Sequence, residues 1–204
     1  MQIIWTSICD VYGNVKRAIR EAISNQCSDE EELELVSYGL FRLCQSVCGV
    51  AIAVIIGALL GITVPMICFL IFFIPLRVNA GGSHMKTVWQ CAISSATFIL
   101  LIGVIIRSVI VHEIWIDLFL IGISGLYIWF MAPVENSAKR LYPHERKNYK
   151  IKVRILLFFE ILTCVAATYF SKSQIRFEIM LALVSEAIFM MVGKMQLREK
   201  CMMR

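Results

Sequence analysis

Charge is scarce in this chain. Only 17% of its 204 residues are Asp, Glu, Lys or Arg, while 59% are apolar; a soluble domain carries about a quarter charged and under half apolar. That deficit excludes an ordinary water-soluble globule and predicts one compact integral membrane domain. A CxxC pair is also lacking, and the eight Cys, at 9, 27, 44, 48, 68, 91, 164 and 201, form no regular framework. Most lie within or beside apolar runs, where Cys behaves as a small hydrophobe, so structural disulfides are not expected. The first forty residues are charged throughout and lack the short apolar core of a signal peptide. Insertion is therefore expected to use the later apolar runs. No basic patch stands alone: the excess of 20 Lys plus Arg over 15 Asp plus Glu is spread between the apolar runs. This is a topology signal, and no nucleic-acid partner is expected. Histidine is limited to three, and His112 and His144 have no Cys or carboxylate arranged as a metal site requires. No metal and no cofactor are expected.

In Met1–Ser24, Ile4, Ile8, Val11, Val15, Ile19 and Ala22 recur at three- and four-residue spacing beside Lys16, Arg17 and Arg20. This pattern predicts an amphipathic helix, lying either on the lipid of the anionic cytoplasmic surface or on the protein's own cytoplasmic face. In "SDEEELELVSYGLFRL" Ser28 and Glu31 form a capping box, and a second short helix is expected from Asp29 to about Arg42. From Val47 to Leu76 the chain is almost continuously apolar, too long for one helix across a hydrocarbon core of about 30 Å. Gly57, Gly61 and Pro65 mark the break, giving segments 43–60 and 63–76, the second short enough to be re-entrant. Further apolar segments are expected at 88–106, 113–131, 153–170 and 176–193. The expected fold is an all-α integral membrane protein of about six apolar segments. Residues 1–42 are the preceding cytoplasmic helices and 43–204 the polytopic domain.

With the N-terminus inside, the cytoplasmic pieces 1–42, 77–87, 132–154 and 194–204 hold all Lys and Arg except Arg107, Lys172 and the segment-edge Arg176. Positive charge beside the spans sets orientation, so both termini are predicted to be cytoplasmic.

The stretch "PLRVNAGGSHMKTVWQCAISS", 75–95, interrupts two apolar runs with the residues suited to nucleophilic chemistry. Asn79, Gly81 and Gly82 disfavour a helix and free backbone amides to face a developing oxyanion. A thiol attacks a carbonyl as thiolate, which a neighbouring His or helix N-terminus favours. Cys91 lies one turn into the segment starting near Val88, and His84 precedes it by seven residues. In a straight helix seven residues share a face but are about 10.5 Å apart. His84 must therefore lie in a loop folded back over that first turn. The other reading is an interfacial His and a buried Cys that never meet. Asp117, Glu160, Glu178 and Glu186 fall in or near spans, where ionisable groups are costly and often functional; packing partners or segment ends account for them equally.

The pattern "PLRxxAGGxHxKTxxxC" resembles the accessory gene regulator B (AgrB) family of membrane cysteine endopeptidases, which mature cyclic autoinducing peptides in quorum sensing. The likeness extends to chain length, the amphipathic N-terminus and the basic loop between the fourth and fifth segments. It implies Cys91 and His84 as the catalytic pair, with Arg77, Gly81, Gly82 and Lys86 in support. Ser83 and Met85 depart from the residues common beside the family's His, which bears on substrate fit. It further implies an AgrD-like propeptide substrate and a homodimer. The propeptide's acidic tail suits Lys139, Arg140, Arg146, Lys147 and Lys150, although such a run is by default a topology signal. The expected chemistry is cleavage through a thioester and closure of a thiolactone or lactone. The alternative is a small peptide exporter whose polar loop is a gate.

The charge count yields a direct test of orientation. In a Lys147→Cys variant, an impermeant maleimide should leave the new thiol unlabelled in intact cells and label it after lysis. Strong labelling in intact cells would reverse the topology.

Overall fold

A computed structural model describes residues 18, 21, 30–82, 88–108, 113–134 and 143–202. Of the expected surface helix over Met1–Ser24 only Ala18 and Glu21 are described, both helical and exposed; the rest of it and the Ser28 cap lie outside the described residues. Six helices follow in order: α1 (Glu30–Leu59), α2 (Thr63–Ala80), α3 (Val88–Ser108), α4 (Ile114–Met131), α5 (Pro143–Tyr169) and α6 (Ser173–Met202). Residues 1–52 and 53–204 form separate compact units, and the second holds most of the described architecture.

The expected end of a short helix near Arg42 is not seen, because α1 continues through it to Leu59. The stretch contains no Pro, and its interior Gly39 costs only about 1 kcal/mol relative to Ala. The change from charged to apolar residues alters what surrounds the helix and leaves its backbone unbroken.

The break anticipated at Gly61 is present. The Ile62 amide donates to Gly57 O at 2.8 Å and the Gly61 amide to Ala58 O at 3.1 Å. With Gly61 at φ +70°, this is the paired closure that ends many helices and satisfies their last carbonyls. Arg107 Nη1 from α3 donates to the remaining Leu60 carbonyl at 3.2 Å. The α5–α6 turn has the same form with Ser171 at φ 54° in the glycine position. There Lys172 N donates to Ala167 O at 2.7 Å and Ser171 N to Thr168 O at 3.2 Å. The basic stretch expected as a loop is helical from Pro143 onward. Proline suits a first helical position, where its missing N–H would have no intrahelical partner.

The C-terminal helix is the axis of the unit. Residues 176–183 of α6 are buried without interruption, which requires neighbours on every side; α2, α4 and α5 all pack against it. Apolar side chains such as Leu59, Val64, Trp115, Phe130 and Tyr169 face outward. By contrast Asp117, Glu160, Arg176, Glu178 and Glu186 are buried. Ionisable residues buried within an apolar core, under a surface of large apolar side chains, depart from the soluble pattern and suit hydrocarbon surroundings. Helices 63–80, 90–108 and 114–131 are long and apolar enough to cross a membrane.

Where α4 begins, Arg176 Nε donates to Asp117 Oδ2 at 2.9 Å, with both side chains about 5% exposed or less. Breaking a buried pair on one side strands a charge at a cost of about 3–5 kcal/mol, whereas replacing both partners with apolar residues is often near neutral. Asp117→Ala and Arg176→Ala should therefore each lower the melting temperature of the detergent-solubilised protein clearly. The double variant Asp117→Leu/Arg176→Met should fall less than the two single losses added. Wild-type melting in both single variants would show that the pair contributes nothing.

Candidate functional site

Helix α2 extends to Ala80, beyond the expected end at residue 76. Arg77 and Asn79 consequently lie in its last turn. Asn79, anticipated as a helix breaker, is helical, and its Nδ2 donates to Pro75 O at 2.8 Å. The added side-chain bond supports the turn that the residue's low helix propensity disfavours.

The break falls on the two glycines. Gly81 has φ 78° and ψ −154°, a region that only glycine occupies without strain, and Gly82 follows at φ 127°. Space forbids a side chain as well. A Cβ on Gly81 would run into the Val134 carbonyl oxygen, and one on Gly82 into Arg77 Nη1 and within 3.0 Å of Phe189 O. The close approach has a purpose in the hydrogen bonding. Val134 N donates to Ala80 O at 2.9 Å, and Gly81 and Val134 form an isolated parallel bridge. Residues after α4 thus clamp the end of α2.

Arg77 supports the pair from below. Its Nη1 donates to Gly81 O at 2.7 Å, its guanidinium stacks 4.5 Å from the centre of the Phe189 ring, and Nη1 lies 3.7 Å from Glu186 Oε1. Cation–ring and charge-pair contacts gain strength where water is excluded.

Cys91 is in the first turn of α3, a free and partly exposed thiol; Ser94 Oγ donates to its carbonyl at 3.1 Å. Phe98 lies seven residues further along α3, hence on the same face two turns away. Its ring is 5.4 Å from Phe73 of α2 and 4.9 Å from Phe189 of α6. Phe73 precedes Arg77 by one turn, and α2 and α3 run in opposite directions as neighbours joined by a short connection. Through this cluster the α3 face that Cys91 shares with Phe98 packs against α2 and α6.

Of the residues expected from sequence, Arg77, Gly81 and Gly82 are in direct contact, and Cys91 lies in the first turn of α3 on the face that carries Phe98. His84, Lys86, Lys139 and Arg140 lie outside the described residues. Sequence reasoning did not assign Phe189, Val134 or Glu186 to the site. For Glu186 the signal was present, an ionisable residue in an apolar span; Phe189 and Val134 carried none. Among the described residues no group of three His, Cys, Asp or Glu side chains could hold a metal ion.

An all-helical bundle with large apolar side chains on its surface, three described helices long and apolar enough to span, and a few ionisable residues buried in its core defines an integral membrane protein. The family described as accessory gene regulator B matches residues 16–192, and the chain belongs to that family. It is 26% identical over 164 residues to an AgrB-like protein 2 of Clostridium perfringens strain 13, covering 74% of this chain and 77% of that protein. An AgrB-like protein of Clostridium perfringens strain SM101 is similar to the same degree and extent. No solved structure matches the chain significantly.

The glycine geometry is testable without knowledge of a substrate. Gly81→Ala should lower the melting temperature by a few degrees or prevent accumulation, because the obstructing atom is backbone and cannot rotate aside. Gly122→Ala and Gly125→Ala, where a Cβ meets nothing within 4 Å, should be neutral or stabilise by about 0.5–1 kcal/mol. Equal melting of Gly81→Ala and the two controls would contradict the described conformation.

Proposed function

We propose that this protein is a membrane-embedded cysteine endopeptidase and peptide cyclase that matures a quorum-sensing propeptide. Supporting this reading is one observation above the others. The Gly81–Gly82 break, built to tolerances only glycine meets, directly precedes the segment that carries His84 and leads into the helix whose first turn holds Cys91. A rigid turn at that point suits a catalytic loop that must fold back over the nucleophile.

In the proposed reaction His84 takes the proton of the Cys91 thiol, and the sulfur attacks the carbonyl carbon of the scissile peptide bond. The C–N bond breaks, the leaving amine takes the proton from His84, and the core of the precursor stays attached to Cys91 as a thioester. A thiol or hydroxyl of the precursor then attacks that carbonyl, loses its proton and expels the Cys91 sulfur. The ring closes as a thiolactone or lactone. The thioester keeps the activation that hydrolysis would discard, and an apolar surround disfavours competing water. Arg77, Gly81, Gly82 and Lys86 orient the loop or stabilise the oxyanion. Lys139 and Arg140 receive the acidic tail of an AgrD-like precursor at the membrane surface. The same reading has a multi-pass chain with both termini cytoplasmic, acting as a homodimer.

Co-expression with the short peptide encoded beside the gene, tagged on its acidic tail, tests the chemistry. Cys91→Ala and His84→Ala should each lower tail release by at least about 100-fold while the variants insert at wild-type levels. Removing the ring-closing residue of the precursor should trap an adduct on Cys91 that hydroxylamine releases. Continued cutting by Cys91→Ala, or an adduct on another Cys, would favour the exporter reading with a noncatalytic polar loop.

A further inference from the structure

The buried Glu186 carboxylate has no place in the proposed reaction, yet it is among the most costly groups in the fold. It is fully buried at 0% side-chain exposure, and neither of its oxygens takes a hydrogen bond. Glu160 of α5, also buried with an unbonded oxygen, is close enough to interact electrostatically with it. Two acids so placed would repel, and an isolated carboxylate in such surroundings is strongly disfavoured. The nearest described cation is Arg77, whose Nη1 is 3.7 Å from Glu186 Oε1. That separation is too long for a hydrogen bond and short enough for a charge pair little screened by water.

We propose that Glu186 is a positioning residue for cleavage that acts through Arg77 to hold the Gly81–Gly82 turn, from which the sequence continues to His84 and Cys91. The assignment rests on the endopeptidase reading above. Glu186 and Phe189 are three residues apart on α6 and so project from one face. Together they offer the guanidinium a carboxylate and a ring, at 3.7 Å and 4.5 Å respectively. The same Nη1 that faces Glu186 donates to Gly81 O at 2.7 Å. Gly82 presses against this nitrogen and against the Phe189 backbone, so that an added Cβ would strike both. The chain of contact runs from α6 through the guanidinium to the glycine turn without a gap. Without the carboxylate, Arg77 would lose the charge that draws it into the bundle. At 22% side-chain exposure it has an alternative in solvent, and the Gly81 carbonyl would lose its donor.

The test is chemical rescue, measured as tail release per inserted molecule from the same tagged precursor. Arg77→Ala and Glu186→Gln should each slow cleavage on the order of 100-fold, the loss typical of misplacing a reacting group by about 1 Å. Glu186→Asp should recover part of that rate. Glu178→Gln serves as a burial-matched control: Glu178 is equally enclosed on α6 but is bonded to Gln174 Nε2 at 3.1 Å, and its variant should cut like wild type. Added methylguanidinium should restore cleavage to Arg77→Ala and fail to restore Arg77→Ala/Glu186→Gln, because the carboxylate that captures the cation is gone. Wild-type cleavage by Glu186→Gln, or equal rescue in both backgrounds, overturns the assignment. If Glu186→Gln does not accumulate, Glu186→Asp replaces it: it must cut more slowly than wild type and, in combination with Arg77→Ala, show weaker rescue. Equal rates and equal rescue would again overturn the proposal. The controls separate this from the underlying reading: wild type that does not cut, or Cys91→Ala that does, removes the endopeptidase, whereas Cys91-dependent cutting with Glu186→Gln intact removes only the role of Glu186.

Discussion

A guanidinium held inside a helical bundle that faces hydrocarbon must bring its partners with it, since solvent cannot supply them freely. Arg77 meets that requirement with groups from three places in the chain: the Gly81 carbonyl just beyond its own helix, the Phe189 ring and the Glu186 carboxylate. Because one side chain satisfies the end of α2 and also engages the axis of the bundle, the position of the glycine turn is coupled to the packing of α6. The Val134 amide on Ala80 O fastens the same turn from the other side. The stretch between α2 and α3 therefore starts from an anchored point, which suits the catalytic role proposed for it.

The rest of the unit follows the same logic at lower intensity. Residues 176–183 of α6 are enclosed on all sides, so the charged residues there need partners within the protein. Arg176 is answered by Asp117 of α4 and Glu178 by Gln174 one turn back on α6 itself, and the apolar residues between them fill the core. Among the described residues three of the five buried charged ones, Arg176, Glu178 and Glu186, lie on α6, while helices 63–80, 90–108 and 114–131 are apolar enough to span. The aromatic cluster of Phe69, Phe73, Phe98 and Phe189 then joins α3 to α2 and α6. That contact fixes which face of α3, the one Cys91 shares with Phe98, meets α2 and α6.

Local signals were legible where the physics is local. The turn at Gly61 could be read because a glycine, a long apolar run and the thickness of a bilayer leave few other solutions. The glycine pair was legible for a similar reason: two adjacent residues without Cβ mark a backbone that departs from helix. Helix ends were less accessible. Asn79 stays helical because its amide finds the Pro75 carbonyl, and the basic run becomes helix from Pro143 because that residue starts a helix well. In both places a weak propensity was overruled by a hydrogen bond or a terminal position invisible to composition.

By itself the sequence determined that the chain is helical and membrane-embedded, where its apolar segments lie, and that Cys91, His84, Arg77 and the two glycines fall in one motif. These follow from hydropathy, from the backbone freedom of glycine and from short-range spacing, each fixed within a few turns of chain. Only the tertiary structure decided that Arg77 meets Glu186 and Phe189 more than a hundred residues away, and that Val134 clamps the glycine turn. Such contacts depend on which helix faces mate, and that is settled by the simultaneous packing of α2, α4 and α5 around α6, which no local pattern encodes.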